Sequence, residues 1–159
     1  MYTPLYIKTD YSLLSSLIKI DDLIDNLKKK NISSCAIVDD NLYGTMEVTH
    51  KFKKAGIKPL IGLDLNKYTL LAKTSEGYYN LVKIETLKNK ENLSKEDIIK
   101  LSKDLVLICF DIDTYNEYNP YFYDIFIGVS NKIEEDKYKE YNTVFINKTL
   151  YLEKALYKY

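Results

Sequence analysis

Apolar and polar positions alternate in short blocks along this chain, most sharply between Cys35 and Leu65. Cys35-Ala36-Ile37-Val38 is a compact apolar run with β-branched members, which predicts a buried strand. Asp39, Asp40 and Asn41 end it with turn-forming residues. Beyond Gly44 the period changes. Met46, Val48 and Phe52 fall among Lys51, Lys53 and Lys54, the pattern of an amphipathic helix that is basic toward its C-terminal end. Gly56 stops that helix and Pro59 follows shortly after. Leu60-Ile61-Gly62-Leu63 then predicts a second strand, which ends in Asp64. A right-handed strand–helix–strand crossover would bring the carboxylates at both strand ends to one edge of a parallel sheet, the edge where ligands bind in such folds.

The rest of the chain extends this alternation. Leu5-Tyr6-Ile7 predicts a first strand, and the leucines of Tyr11 to Ser16 are expected to plug a layer beneath a loop. A helix begins at Ile20, with Asp21 and Asp22 in its first turn, and closes on Lys28-Lys29-Lys30-Asn31. Tyr68 to Ala72 predicts a strand, and Leu81, Val82, Ile84 and Leu87 a helix. Ser94-Lys95-Glu96-Asp97 resembles a capping box in front of Ile98. Leu105 to Phe110 is a continuous apolar run and predicts a fully buried strand. Thr114 to Pro120 reads as a loop, Tyr123 to Val129 as a strand, Ile133 to Tyr141 as a charged helix and Thr143 to Ile146 as a last strand. Residues 150–159 look helical and end without a cap or breaker, which predicts a piece cut from a longer chain. Alternating strands and helices predict an α/β fold with a parallel sheet, and no linker divides residues 1–159, so a single domain is expected.

Composition narrows the chemistry. The chain has 159 residues, with 23 basic and 23 acidic ones in balance, so no overall basic footprint advertises nucleic acid or an anionic membrane. No apolar segment is long enough to span a bilayer. The two cysteines, Cys35 and Cys109, sit inside apolar runs and read as small hydrophobes in a reducing cytoplasm. The single histidine, His50, lies in the basic helix with no ligand or nucleophile partner nearby, so it reads as an ordinary helix residue. One histidine and two apolar cysteines cannot supply a Ser-His-Asp or Cys-His nucleophile. The lysines at 51, 53 and 54 read as a solvated helix end, with DNA contact as the sharper alternative. Three readings stay open for Asp39, Asp40 and Asp64: turn and cap residues, remnants of a metal site, or working Mg²⁺ ligands.

Longer motifs carry a resemblance. Tyr11-Ser12-Leu13-Leu14, Ile18 to Leu23, Asn41-Leu42-Tyr43-Gly44, Lys54 to Gly62, Leu70 to Lys73 and Gly77 to Ile84 occur in an order similar to the polymerase-and-histidinol-phosphatase (PHP) domain that begins bacterial DNA polymerase III alpha subunits. The likeness is close to about Ile84 and loose afterwards, until Val144 to Asn147 and Tyr151-Leu152 resemble the domain's final strand. It implies a distorted seven-unit (β/α) barrel, here trimmed or incompletely closed, since seven units in 159 residues leave little for each.

The resemblance also implies a metal site at the C-terminal strand ends, and here the chain departs from the family pattern. Places held by three alternating histidines fall on Pro4, Tyr6 and Lys8. An Asp-His pair is matched by Asp39 and Asp40, with one residue missing before Asn41, and a Gly-x-Glu acid becomes Asp64. The final Asp-x-His falls on Lys148 and Leu150. An ammonium has no lone pair to offer a cation. Taken together, the resemblance implies a non-catalytic N-terminal PHP domain of a bacterial replicative DNA polymerase, with no cofactor and a vestigial metal site. In place of the metal, an ion pair of Lys8 or Lys148 with Asp64 is expected. Nucleotidyl transfer would belong to the parent chain. Expected partners are the remainder of the polymerase and the proofreading exonuclease, with DNA met only indirectly and no membrane. An active PHP-type phosphoesterase and a free-standing binding module are the alternatives.

Overall fold

The computed structural model describes residues 2–148. In chain order they form α1 (Ile20–Lys29), β1 (Ser34–Asp39), α2 (Thr45–Ala55), β2 (Lys58–Asp64), β3 (Tyr68–Ala72) and α3 (Ser75–Asn89). These are followed by α4 (Lys95–Lys100), β4 (Leu105–Cys109), α5 (Ile112–Tyr118), β5 (Asp124–Val129), α6 (Lys132–Lys137) and β6 (Thr143–Phe145). The strands make one six-stranded sheet in simple sequential order. β1 pairs parallel with β2, and β4, β5 and β6 pair parallel with one another.

Local signals explain most of the elements. Gly56 ends α2 at φ 73°, a left-handed cap that glycine adopts without a Cβ clash. Ser94 and Asp97 make the expected reciprocal capping box on α4. After α1, Asn31 takes φ 54° and the Ile32 amide returns to the Leu27 carbonyl at 2.9 Å, so Asn closes this helix where glycine often would.

Four expectations are corrected. The sheet is mixed, because β3 runs antiparallel to both β2 and β4. Only Leu65, Asn66 and Lys67 join β2 to β3, with Asn66 at φ 68°, and so short a link makes a hairpin where a parallel crossover needs a dozen or more residues. The segment around Tyr6 is extended but joins the sheet through a single parallel bridge, Ile7 to Ile37. Residues 114–118, read as loop, belong to α5: Asp111 accepts from the Thr114 amide and hydroxyl, both at 2.8 Å, and Tyr115 and Tyr118 bury the inner face. Finally, Leu13 and Leu14 are exposed rather than plugged inward. The tail at residues 149–159, including Leu150, lies outside the described residues.

The sheet curls. Strands lie about 4.8 Å apart, so a flat sheet of this order would hold its two edges more than about 20 Å from each other. Yet Tyr6, beside β1, packs edge-to-face on Phe110 with ring centroids 5.9 Å apart, and Lys148, beyond β6, sets its Nζ 4.0 Å from the same Phe110 ring centre. Side chains from beside both sheet edges therefore converge over the end of β4. Tyr6, Ala36, Val38, Leu71, Ile108 and Ile146 form a cluster inside this curl. At Gly62, a Cβ would come within 2.7 Å of the Leu70 carbonyl, so the absence of a side chain lets β2 and β3 approach there. Outside the curl, Phe52, Leu23 and Ile37 belong to the layer under α1 and α2, and Leu70, Leu107 and Ile127 to the layer under α3 and α5.

Candidate functional site

The carboxylates predicted at the strand ends do converge. Asp39 ends β1 and Asp64 ends β2, and the parallel register of those strands carries both to one sheet edge. Asp39 is almost fully buried and saturated: its oxygens accept from the Thr9 amide and Thr9 hydroxyl, each at 2.6 Å, and from the Ser12 hydroxyl at 2.7 Å. Burial pushes the Asp39 carboxyl above the ordinary carboxylate range, and the hydrogen bonds from Thr9 and Ser12 pull partly the other way.

Asp64 is equally buried but faces a different set of donors. Its Oδ2 accepts the Tyr6 hydroxyl at 2.9 Å and lies 2.9 Å from Lys8 Nζ; its Oδ1 accepts from the Asn66 amide and the Thr69 hydroxyl, each at 3.3 Å. The expected Lys8–Asp64 ion pair is present, and the same ammonium also pairs with the half-exposed Asp40. Burial works against the charged form of Lys8, but its bonds to Asp40 and Asp64 outweigh that and hold it above the ordinary lysine value. The Tyr6 hydroxyl is driven strongly upward by burial first and by the Asp64 charge next, so it stays protonated and donates.

The other predicted positions divide. Pro4 is buried and uses its carbonyl to accept the Ala36 amide at 2.8 Å, anchoring the extended segment on β1. Lys148 reaches the same neighbourhood, 5.4 Å from the Tyr6 ring centre, but among the described residues its partners are the faces of Tyr6 and Phe110, not a carboxylate. His50 is exposed on α2, away from this cluster. Cys35 and Cys109 are free and buried, each thiol pushed up to about 12 chiefly by burial, which suits packing and not nucleophilic attack.

Several participants went unread in the sequence. Thr9 and Ser12 supply the donors to Asp39. From α3, Glu85 accepts the Leu42 amide at 2.9 Å and Lys88 donates to the Asp40 carbonyl at 2.6 Å, clamping the turn that carries the carboxylates. Glu85 had a visible signal: it shares the buried face of α3 with Leu81 and Ile84, where an acid needs a partner.

A divalent cation needs several converging lone-pair donors. Here an ammonium bridges Asp40 and Asp64, a phenol donates into Asp64, and Asp39 is filled by hydroxyl and amide donors. Among the described residues no group of three or more His, Cys, Asp or Glu side chains is disposed to hold a metal. These residues do not fit a divalent ion.

The fold is a curled, mixed sheet with helices packed outside it and carboxylates at its strand ends. The family model for the PHP domain matches residues 4–154, and the chain belongs to that family. Among curated relatives, the DNA polymerase III subunit alpha of Borreliella burgdorferi is 36% identical over 128 residues, covering 64% of this chain and 11% of that protein. The same subunit of Buchnera aphidicola subsp. Acyrthosiphon pisum is 38% identical over 90 residues, covering 49% of this chain and 8% of that protein. The chain thus spans about a tenth of the length of these relatives. Among solved structures, a two-domain protein of Bacteroides vulgatus containing a predicted PHP-like metal-dependent phosphoesterase superposes with TM-score 0.64 at 8% identity, over 94% of this chain and 52% of that one. An amidohydrolase of Chromobacterium violaceum gives 0.57 at 9% identity, over 97% and 89%. At such identities these two likenesses concern the fold. No helix among the described residues is long and apolar enough to cross a membrane.

Proposed function

We propose that this chain is a non-catalytic N-terminal PHP domain of a bacterial replicative DNA polymerase, of the DNA polymerase III alpha type. Its work is structural. It supports the remainder of the polymerase chain and offers a surface to a partner such as the proofreading exonuclease, with DNA met only indirectly and in the cytoplasm. Nucleotidyl transfer belongs, in this reading, to other parts of the parent chain. One observation carries the non-catalytic half: Lys8 Nζ lies 2.9 Å from Asp64 Oδ2, so a fixed positive charge stands among the carboxylates that a catalytic metal would use. The similarity to alpha subunits supports the replicative half.

The test is a metal analysis of the purified protein beside assays on a phosphomonoester and on DNA ends, with Mn²⁺, Zn²⁺ or Mg²⁺ added. Substoichiometric metal and no turnover are expected. Turnover that disappears in Asp64→Asn would establish an active phosphoesterase and overturn the proposal, because a contaminating enzyme does not respond to that substitution.

A further inference from the structure

The loop between the Tyr6 segment and α1 shows its leucines to solvent. Leu13 and Leu17 are each 82% exposed and Leu14 is fully exposed, with Tyr43 and Met46 also exposed on the turn and first residues of α2. Such a concentration of large apolar side chains on one stretch of surface marks an interaction site. The backbone that displays them is closely determined. Asp10 N donates to the Ile18 carbonyl at 2.9 Å, Ser12 N to the Thr9 carbonyl at 3.0 Å and Ser15 N to the Ser12 carbonyl at 3.0 Å. The Ser16 hydroxyl reaches the Lys8 carbonyl at 2.7 Å, and the Ser12 hydroxyl reaches Asp39. Within this frame Leu14 sits at φ 63°, a conformation that residues with a Cβ avoid and that persists only where the surroundings impose it.

Leu13 and Tyr43 face a common cleft of about 430 Å³, whose other walls include Tyr11 and Ile20. That is room for one or two apolar side chains of a partner. Its charged lining is Asp10, Asp21, Glu47 and Lys19. Lys51 is shared between Asp21 at 2.7 Å and Glu47 at 2.8 Å, which leaves that trio with one net negative charge. The Lys51 bond, followed by the Tyr11 hydroxyl, holds the Glu47 carboxyl below its ordinary value, so it stays ionised. Asp10 is exposed and has no ion-pair partner among the described residues. The rim therefore carries an excess of carboxylate over ammonium around an apolar floor.

We infer that this leucine loop and its cleft dock a protein segment that presents apolar side chains flanked by lysine or arginine. Asp39 acts here as a positioning residue: its bonds to Thr9 and Ser12 hold the loop in the display conformation. The inference rests on the reading that the domain works through contacts, and it supplies the chemistry of one of them. Electrostatic complementarity at the rim sets the preference for a basic partner, while the buried leucine contacts set the affinity.

The experiment is fluorescence anisotropy with the 159-residue chain and a labelled amphipathic peptide, leucines on one face and lysines on the other. A counterpart carries glutamate for lysine. The lysine peptide is expected to bind saturably and about tenfold more tightly than the glutamate one. Joint replacement Leu13→Ser and Leu17→Ser should weaken it about tenfold with an unchanged melting temperature, since exposed side chains contribute little to folding. Asp10→Lys should erase the preference for lysine while leaving the apolar contribution. Absent binding, equal binding of both peptides, or full binding by the leucine variant would overturn the inference. So would a concentration-dependent dimer abolished by the leucine variant, which would assign the face to a second copy of this chain. Metal-dependent turnover would sink the non-catalytic proposal and leave the peptide result standing, so the two failures are distinguishable.

Discussion

Two buried regions of the curled sheet are held together by opposite physics. Outside the curl, Leu70, Leu107 and Ile127 pack with Leu81 and Ile84 of α3 through non-directional apolar contacts. At the strand ends, Lys8, Asp64, Tyr6 and Asp39 are also nearly inaccessible, yet each is held by a specific donor or acceptor. No buried side-chain nitrogen or oxygen among the described residues lacks a partner. An apolar layer loses stability in proportion to what is removed from it. A closed polar cluster fails when one member goes, because the charge left behind has lost its compensation.

The sharpest way to break this contrast is Lys8→Ala. It strands Asp64 behind Tyr6 and should cost about 3–5 kcal/mol by urea denaturation. The pair Lys8→Met with Asp64→Leu should recover part of that, as it removes the orphaned charge but leaves the buried Tyr6 hydroxyl without its acceptor. A Lys8→Ala loss below about 1 kcal/mol would mean that the pair behaves like a solvent-screened surface bridge.

Next in size is the apolar side. Ile127→Ala, in the layer under α3 and α5, should cost about 2–5 kcal/mol by leaving a cavity, and Ile127→Val only about 0.5–1.5 kcal/mol. Equal losses for the two would show that the layer is not graded.

The smallest effect separates the regions by pH. Folding raises Lys8 above its ordinary 10.5, so its contribution is fully present below that value and fades as pH climbs through the folded one. The stability gap between wild type and Lys8→Met should therefore hold steady near neutrality and narrow above about pH 10.5. The Ile127→Ala gap should show no such narrowing. A Lys8 gap that stays constant into strong alkali would remove the ion pair from the account.

Much of this was legible in order of residues. The strand–helix–strand unit, the Gly56 stop, the Ser94 cap and the convergence of Asp39 with Asp64 all follow from local period and chain direction. The hairpin was legible too, in the three residues from Leu65 to Lys67, but apolar continuity alone does not encode strand direction. Helix α5 escaped because its buried face is built from Tyr115, Tyr118 and Thr114, residues that a hydropathy pattern scores as half polar. The loop leucines misled because burial is a one-way rule: apolar residues fill cores, yet not every apolar residue is inside.

The sequence by itself determined which residues the strand ends would carry, Asp39 and Asp64 among them, and that a lysine stands at position 8. Tertiary structure decided how those charges are shared. Lys8 takes both Asp40 and Asp64, Lys148 turns to Phe110 and Tyr6, and Thr9 with Ser12 claims Asp39. The physical reason is that residue type is local, whereas pairing depends on where the curl brings the ends of distant segments. Thr9 and Asp39 are thirty residues apart in the chain, and the pairing of the Tyr6 segment with β1 brings them within one hydrogen bond.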